Sequence, residues 1–166
     1  LPHYEVREPQ LAMAEAVERA QKAGRHLVVE AGTGVGKSFA YLVPAITQAV
    51  EHGRRVVVST YTISLQEQLI EKDIPVLQQL WPASPSGEPV EFRAELVKGR
   101  GNYLCLRRLD MAGRKAAQLF PGDAEVDELK RIIEWAYTTS DGTRSDLVPQ
   151  PSPAVWSRLS SEQGAC

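Results

Sequence analysis

The segment "AGTGVGKS", Ala31 to Ser38, sits between a short apolar run, "HLVVE", and a longer one, "FAYLVPAI". Glycines at alternate positions let backbone N–H groups turn inward around an anion, and a helix starting there adds a favourable dipole. Lys37 brings a point charge to the outer phosphates, and the Ser38 hydroxyl suits a magnesium shell. The spacing is that of a P-loop with Ala31 in place of the first glycine. Ala31, Gly32, Thr33, Gly34, Val35, Gly36, Lys37 and Ser38 are therefore read as a nucleoside-triphosphate grip, with ATP and Mg2+ as ligands. A dinucleotide fingerprint is disfavoured, because Lys37 stands where its third glycine would be. A merely structural glycine turn is the bland alternative, and the flanking apolar runs argue against it.

That context predicts the fold class. "EPQLAMAEAVERAQKAG" carries Leu11, Ala14, Val17 and Ala20 at helical spacing, with Pro9 in the first turn and Gly24 as a stop. "HLVVE", "RRVVVST" and "AELVKG" read as strands. Helices are predicted from the glycine loop to about His52, with a kink at Pro44, and over "TISLQEQLIEKDI", where Ser64 and Glu67 are spaced as a capping box. Strand and helix in alternation imply an α/β fold with a parallel sheet and helices on both faces.

The pattern changes after Gly99. "RGNYLCLRRLDMAGRKAAQLF" and "DAEVDELKRIIEWAYTT" look helical, and "LVPQPSPAVWSRL" looks irregular. The expected division is 1–98 and 99–166. With 166 residues and 24% charged residues, the chain has room for one core and a small insertion. The net charge of −2 exerts no global pull on nucleic acid. No apolar run is long enough to span a membrane. Two cysteines are too few for a disulfide framework and, with no visible signal peptide, point to a reducing, cytoplasmic setting. A start at Leu1 without Met and an end at Cys166 read as cut ends.

The acidic partner of the grip is not found. Asp127 and Glu128 form an acidic pair, but Ile132, Ile133 and Trp135 place it on an amphipathic helix and not after an apolar strand. Water activation would then fall to residues elsewhere. A P-loop kinase is a rival reading, but no acceptor site or lid is visible. A free-standing nucleotide-binding remnant is another.

Together, "YEVREPQLAMAEAV", "VVEAGTGVGKSFAYLVPAI", "VVVSTYTISLQEQLIEKDIP" and "LVKGRGNYLCLRRL" resemble the start of a DinG-type helicase. These are the bacterial, XPD-like branch of superfamily-two DNA helicases that carry an iron–sulfur cluster. The resemblance implies a RecA-like motor domain, entered but incomplete, followed by part of a mostly helical iron–sulfur insertion. It implies ATP-driven 5′-to-3′ unwinding of single-stranded or forked DNA in repair or replication. The acidic box, further cysteines and second motor domain would follow Cys166.

The same resemblance assigns roles by residue. Arg7 and Gln10 match the Q-motif, whose carboxamide can pair with the adenine edge; without the family, Gln10 reads as a solvated helix residue. Ser59, Thr60 and Thr62 match a strand-contacting motif, and helix capping is the equal alternative. Cys105 and Cys166 correspond to two ligands of a [4Fe–4S] cluster, although a lone Cys105 also reads as a core residue. Between Glu91 and Lys115, seven Lys/Arg stand against three Asp/Glu. Arg100 and Tyr103 in that stretch suit a single DNA strand by phosphate contact and base stacking, against the alternative of a solvated helix face.

Overall fold

In the computed structural model, residues 7–162 are described, and the chain divides into two compact units between Leu96 and Val97. In the first unit, α1 (Glu8–Ala23) packs along α2 (Lys37–His52). Each helix ends at a glycine with φ of 61°, Gly24 and Gly53, a left-handed turn that a side chain would strain. Pro44 lies buried within α2, which stays helical through it.

A second helical run comprises α3 (Ile63–Gln68), a π-turn (Leu69–Asp73) and α4 (Ile74–Leu80). Pro75 explains the widened turn. It has no N–H for the carbonyl one turn back, and its ring crowds that carbonyl; an extra residue in the turn relieves both. The expected capping box at Ser64 is corrected. The N-cap is Thr62, whose hydroxyl accepts from the Leu65 N–H at 3.3 Å, so the helix starts earlier. Leu42, Ile46, Leu69 and Leu77 form the small core of this unit, with Trp81 and Phe92 edge to face beside it.

The expected sheet is not formed among the described residues. The three segments read as strands carry no ladder hydrogen bonds. Their side chains still alternate: Val28 is 95% exposed while Leu27 and Val29 are about half as open, and Val57 is 90% exposed between two more covered valines. Leu27 and Val29 border a groove lined by Met13, Val17 and Ala20 of α1. One side of each of the first two segments therefore lies near α1 and α2 and the other is bare. Periodicity sets which side chains turn inward, but a strand also needs a neighbour for its N–H and C=O groups. Among the described residues no neighbouring strand is present. The same gap explains α1, which has no buried residue despite its apolar stripe.

The second unit closes on itself. It contains α5 (Leu106–Arg114), α6 (Ala116–Leu119), α7 (Asp123–Ala136) and α8 (Pro153–Leu159), with short 3₁₀ turns at Arg100–Asn102 and Arg144–Asp146. Leu129 and Ile132 of α7 meet Val155, Trp156 and Leu159 of α8 in one buried cluster with Leu109, Phe120 and Leu147. The segment expected to be irregular thus contains a helix. Ser152 caps it by accepting from Val155 N–H, and Pro153 opens it at a position where no donor is needed. Isolated antiparallel bridges join Tyr103 to Thr143 and Leu104 to Ser160. No described helix is long and apolar enough to cross a membrane.

Candidate functional site

The glycine loop enters α2 through two left-handed residues, Gly34 at φ 79° and Gly36 at φ 84°. These turns bring the chain round so that α2 begins at Lys37, with its first N–H groups unclaimed by the helix itself. The Lys37 ammonium folds back over the loop, donating to the carbonyls of Gly32 at 2.7 Å and Ala31 at 3.1 Å. Gly32, Thr33 and Gly34 are exposed, and Val35, Gly36 and Ser38 are half-buried. The grip is open to solvent.

Two side chains from the start of α1 reach this loop. Arg7 donates to the Gly34 carbonyl at 2.5 Å, and the Gln10 carboxamide donates to the Gly36 carbonyl at 3.0 Å. A Cβ on Gly36 would stand 2.3 Å from Gln10 Nε2, so this approach itself requires glycine. The residues read as adenine-binding are thus brought to the phosphate loop.

Tyr41 lies one turn on from Ser38 along α2. Burial pushes the Tyr41 phenol above its ordinary pKa, Ser38 lowers it, and the nearby Asp73 charge adds to the rise. Tyr41 therefore stays neutral beside Ser38. Sequence reasoning passed over this tyrosine; its position three residues after Ser38, on the same helix face, is the signal that could have found it.

Ser59 and Thr62 are exposed and Thr60 is half-buried, at the end of the second extended segment. Thr60 Oγ1 donates to the Thr62 carbonyl at 3.0 Å, and Thr62 caps α3. Capping accounts for Thr62, while Ser59 presents its hydroxyl to solvent.

In the second unit, Arg100 is exposed and Tyr103 is half-buried. The Tyr103 hydroxyl accepts from the Lys98 N–H at 2.8 Å, and the Trp156 indole donates to the Gly101 carbonyl at 2.8 Å. Both bonds hold the loop before Cys105. Two cations of the basic stretch, Lys98 and Arg108, are engaged with groups of the same unit, and Arg114 pairs at the surface. Lys98 is buried with its ammonium on Ser145, Arg114 pairs with Asp110, and Arg108 donates to the carbonyls of Ser157, Arg158 and Ser160. Composition alone could not separate these from solvent-facing charges. Arg108 also pairs with Glu162, and so holds the end of α8 beside Cys105, whose N–H donates to the Leu159 carbonyl.

Cys105 is buried, and Cys166 lies outside the described residues. No group of three or more His, Cys, Asp or Glu side chains among the described residues could hold a metal. A [4Fe–4S] cluster takes four thiolates. The described residues alone do not fit one. Glu128, from the acidic pair, accepts from the Ser152 N–H and hydroxyl, and Asp127 pairs with Lys130, so both have structural roles on α7.

Comparison with known proteins agrees with this picture. The DEAD/DEAH box helicase family model matches residues 9–84, a span that holds Gln10, the glycine loop and Ser59 to Thr62. The chain is 41% identical to the ATP-dependent helicase DinG of Mycobacterium tuberculosis, over 96% of this chain and 25% of that protein. It is 36% identical to the ATP-dependent DNA helicase YoaA of Escherichia coli, over 100% of this chain and 24% of that protein. To the Bacillus subtilis protein named 3′-5′ exonuclease DinG it is 32% identical, over 96% of this chain and 16% of that protein. The chain spans about a quarter of the length of the first two relatives. With its glycine loop in place, the chain is similar along nearly all its length to the DinG-type helicases, and within it residues 9–84 match the DEAD/DEAH box helicase family model.

Proposed function

We propose that the chain is the opening part of an ATP-driven DNA helicase motor. The observation that carries this reading is the loop from Ala31 to Ser38, turned by Gly34 and Gly36 into α2 with Lys37 folded over it. On binding ATP, the Lys37 ammonium exchanges the Gly32 and Ala31 carbonyls for phosphate oxygens. The exposed loop amides surround the same phosphates, and the α2 dipole adds to their stabilisation. Ser38 Oγ is the side chain here that would ligate Mg2+, which would supply charge neutralisation at the outer phosphates when bound. Gln10 would recognise adenine. Ser59 and Thr60 would meet DNA phosphates, and Arg100 and Tyr103 would border the path of the strand.

The residues that activate water belong to the remainder of the protein on this reading, as does the second motor domain. The sheet is completed by strands from that remainder, with further helices on its bare face, giving the RecA-like layers. DNA in single-stranded or forked form, 5′-to-3′ polarity, a role in repair or replication and a cytoplasmic setting come with the family resemblance. So does the proposal that Cys105 and Cys166 are two of four cluster thiolates in a mostly helical insertion over 99–166. No step above depends on that cluster.

The test is Lys37→Ala in the full-length protein, which is expected to abolish DNA-stimulated ATP turnover and leave DNA binding largely intact. Unchanged turnover would show that the phosphate grip lies elsewhere. Reading the coding frame past Cys166 separates motor from remnant: an acidic box and two more cysteines mean motor, and an immediate stop means remnant.

A further inference from the structure

The start of α1 does more at this site than face a base. Gly34 and Gly36 carry the two carbonyls that receive Arg7 and Gln10. Each carbonyl shares a peptide plane with the next residue's N–H, that of Val35 and that of Lys37. Both peptides are trans, the Val148–Pro149 bond being the cis one among the described residues. In a trans peptide the C=O and N–H point in opposite directions. Holding the two oxygens toward α1 therefore directs the Val35 and Lys37 amides to the opposite side of the loop, where an anion can bind. The Gly36 carbonyl also accepts the Ala40 N–H at 3.3 Å, so Gln10 occupies its second lone pair and leaves the first turn of α2 intact.

We propose that Arg7 and Gln10 are positioning residues that orient the phosphate-binding amides of Val35 and Lys37, so that their loss weakens binding of a polyphosphate that carries no base at all. The inference rests on the nucleotide-binding reading of this loop and deepens it. The bond to Gly36 is compatible with adenine recognition. A carboxamide has two N–H donors and an oxygen; one donor on Gly36 leaves one donor and the acceptor, the pair an adenine edge requires. Gln10 thus joins base and phosphate recognition in one side chain. Gly36 completes the arrangement, since a Cβ there would displace Gln10 as well as strain a φ of 84°.

The experiment is calorimetric titration of the full-length protein with inorganic tripolyphosphate and, separately, with ATP. Gln10→Met keeps length and neutrality but removes the donor. It is expected to weaken tripolyphosphate about fivefold, the worth of one ordinary hydrogen bond, and ATP by at least that factor. Arg7→Ala should act in the same direction, and Arg7→Lys, which keeps charge and a donor, should restore most of the loss. Ligand-free melting of each variant reports whether the fold is intact; if Gln10→Met does not fold, the Arg7 pair carries the test. Loss of ATP affinity with tripolyphosphate unchanged would overturn the proposal and leave Gln10 a base-reading residue only. Lys37→Ala is the control on the underlying reading. If it leaves tripolyphosphate binding unchanged, the loop is not the phosphate site and both readings fall. If it abolishes that binding while the Arg7 and Gln10 variants bind normally, only the positioning role fails.

Discussion

The two units handle apolar side chains in opposite ways. The second, from Val97 onward, buries Leu129, Ile132, Leu147, Val155 and Leu159 almost completely. The first leaves Val28 and Val57 nearly as open as in an extended chain. Hydrophobicity does not explain the contrast, since both units are rich in Leu, Ile and Val. Helices satisfy their own backbone, so α5, α7 and α8 need only each other's side chains to close a core. A strand of a parallel sheet needs neighbours on its edges and cover on both faces. The first unit has helices against its extended segments, while the second buries its core among its own helices.

The comparison can be broken in several places. The largest expected effect is chemical and confined to the first unit. Lys37→Ala in the full-length protein should reduce ATP turnover by orders of magnitude without altering hydrogen-exchange protection of α7 and α8; lost protection there would contradict the independence of the two cores. Next, Ile132→Ala, at a fully buried position, should cost about 3 kcal/mol of the second unit's stability. Hydrogen exchange in α7 measures it, and a cost below about 1 kcal/mol would mean that this core is looser than its burial implies.

Val57→Asp addresses the bare face directly. In the 166-residue chain it should leave helicity and melting unchanged, because Val57 is 90% exposed. In the full-length protein it should cost about 2 kcal/mol, as a carboxylate placed inside a covered sheet. Equal behaviour in both would remove the case for a completed sheet. Smaller again is Arg108→Ala, which releases three carbonyls at the end of α8 and should cost about 1.5 kcal/mol, read as faster exchange in α8. Smallest is Arg114→Ala, whose pair with Asp110 is exposed on both sides; melting should not move measurably.

The helices were legible because their signals are local. Pro9 and Gly24 bound α1, the glycine loop and Gly53 bound α2, and the apolar spacing of Ile132, Ile133 and Trp135 separated α7 from a magnesium-binding reading of Asp127 and Glu128. The prolines around Ser152 concealed α8, since Pro153 reads as a breaker until its place at the first helical position is known. Arg108 and Lys98 were legible only as charge. Their partners lie about fifty residues away, and neither periodicity nor composition carries that separation.

The sequence by itself determined the glycine loop, the residues proposed to grip phosphate and most of the helical segments, because those depend on neighbours a few positions apart. It also marked the valines at 56–58 as a strand, while their alternating exposure is seen only in the structure. Only the tertiary structure decided whether those valines pair into a sheet, since pairing needs a second strand and an extended segment without one has nothing to receive its hydrogen bonds. It likewise decided that Arg7 and Gln10 of α1 reach the Gly34 and Gly36 carbonyls. That contact exists because α1 packs along α2, bringing together residues more than twenty positions apart that no local pattern joins.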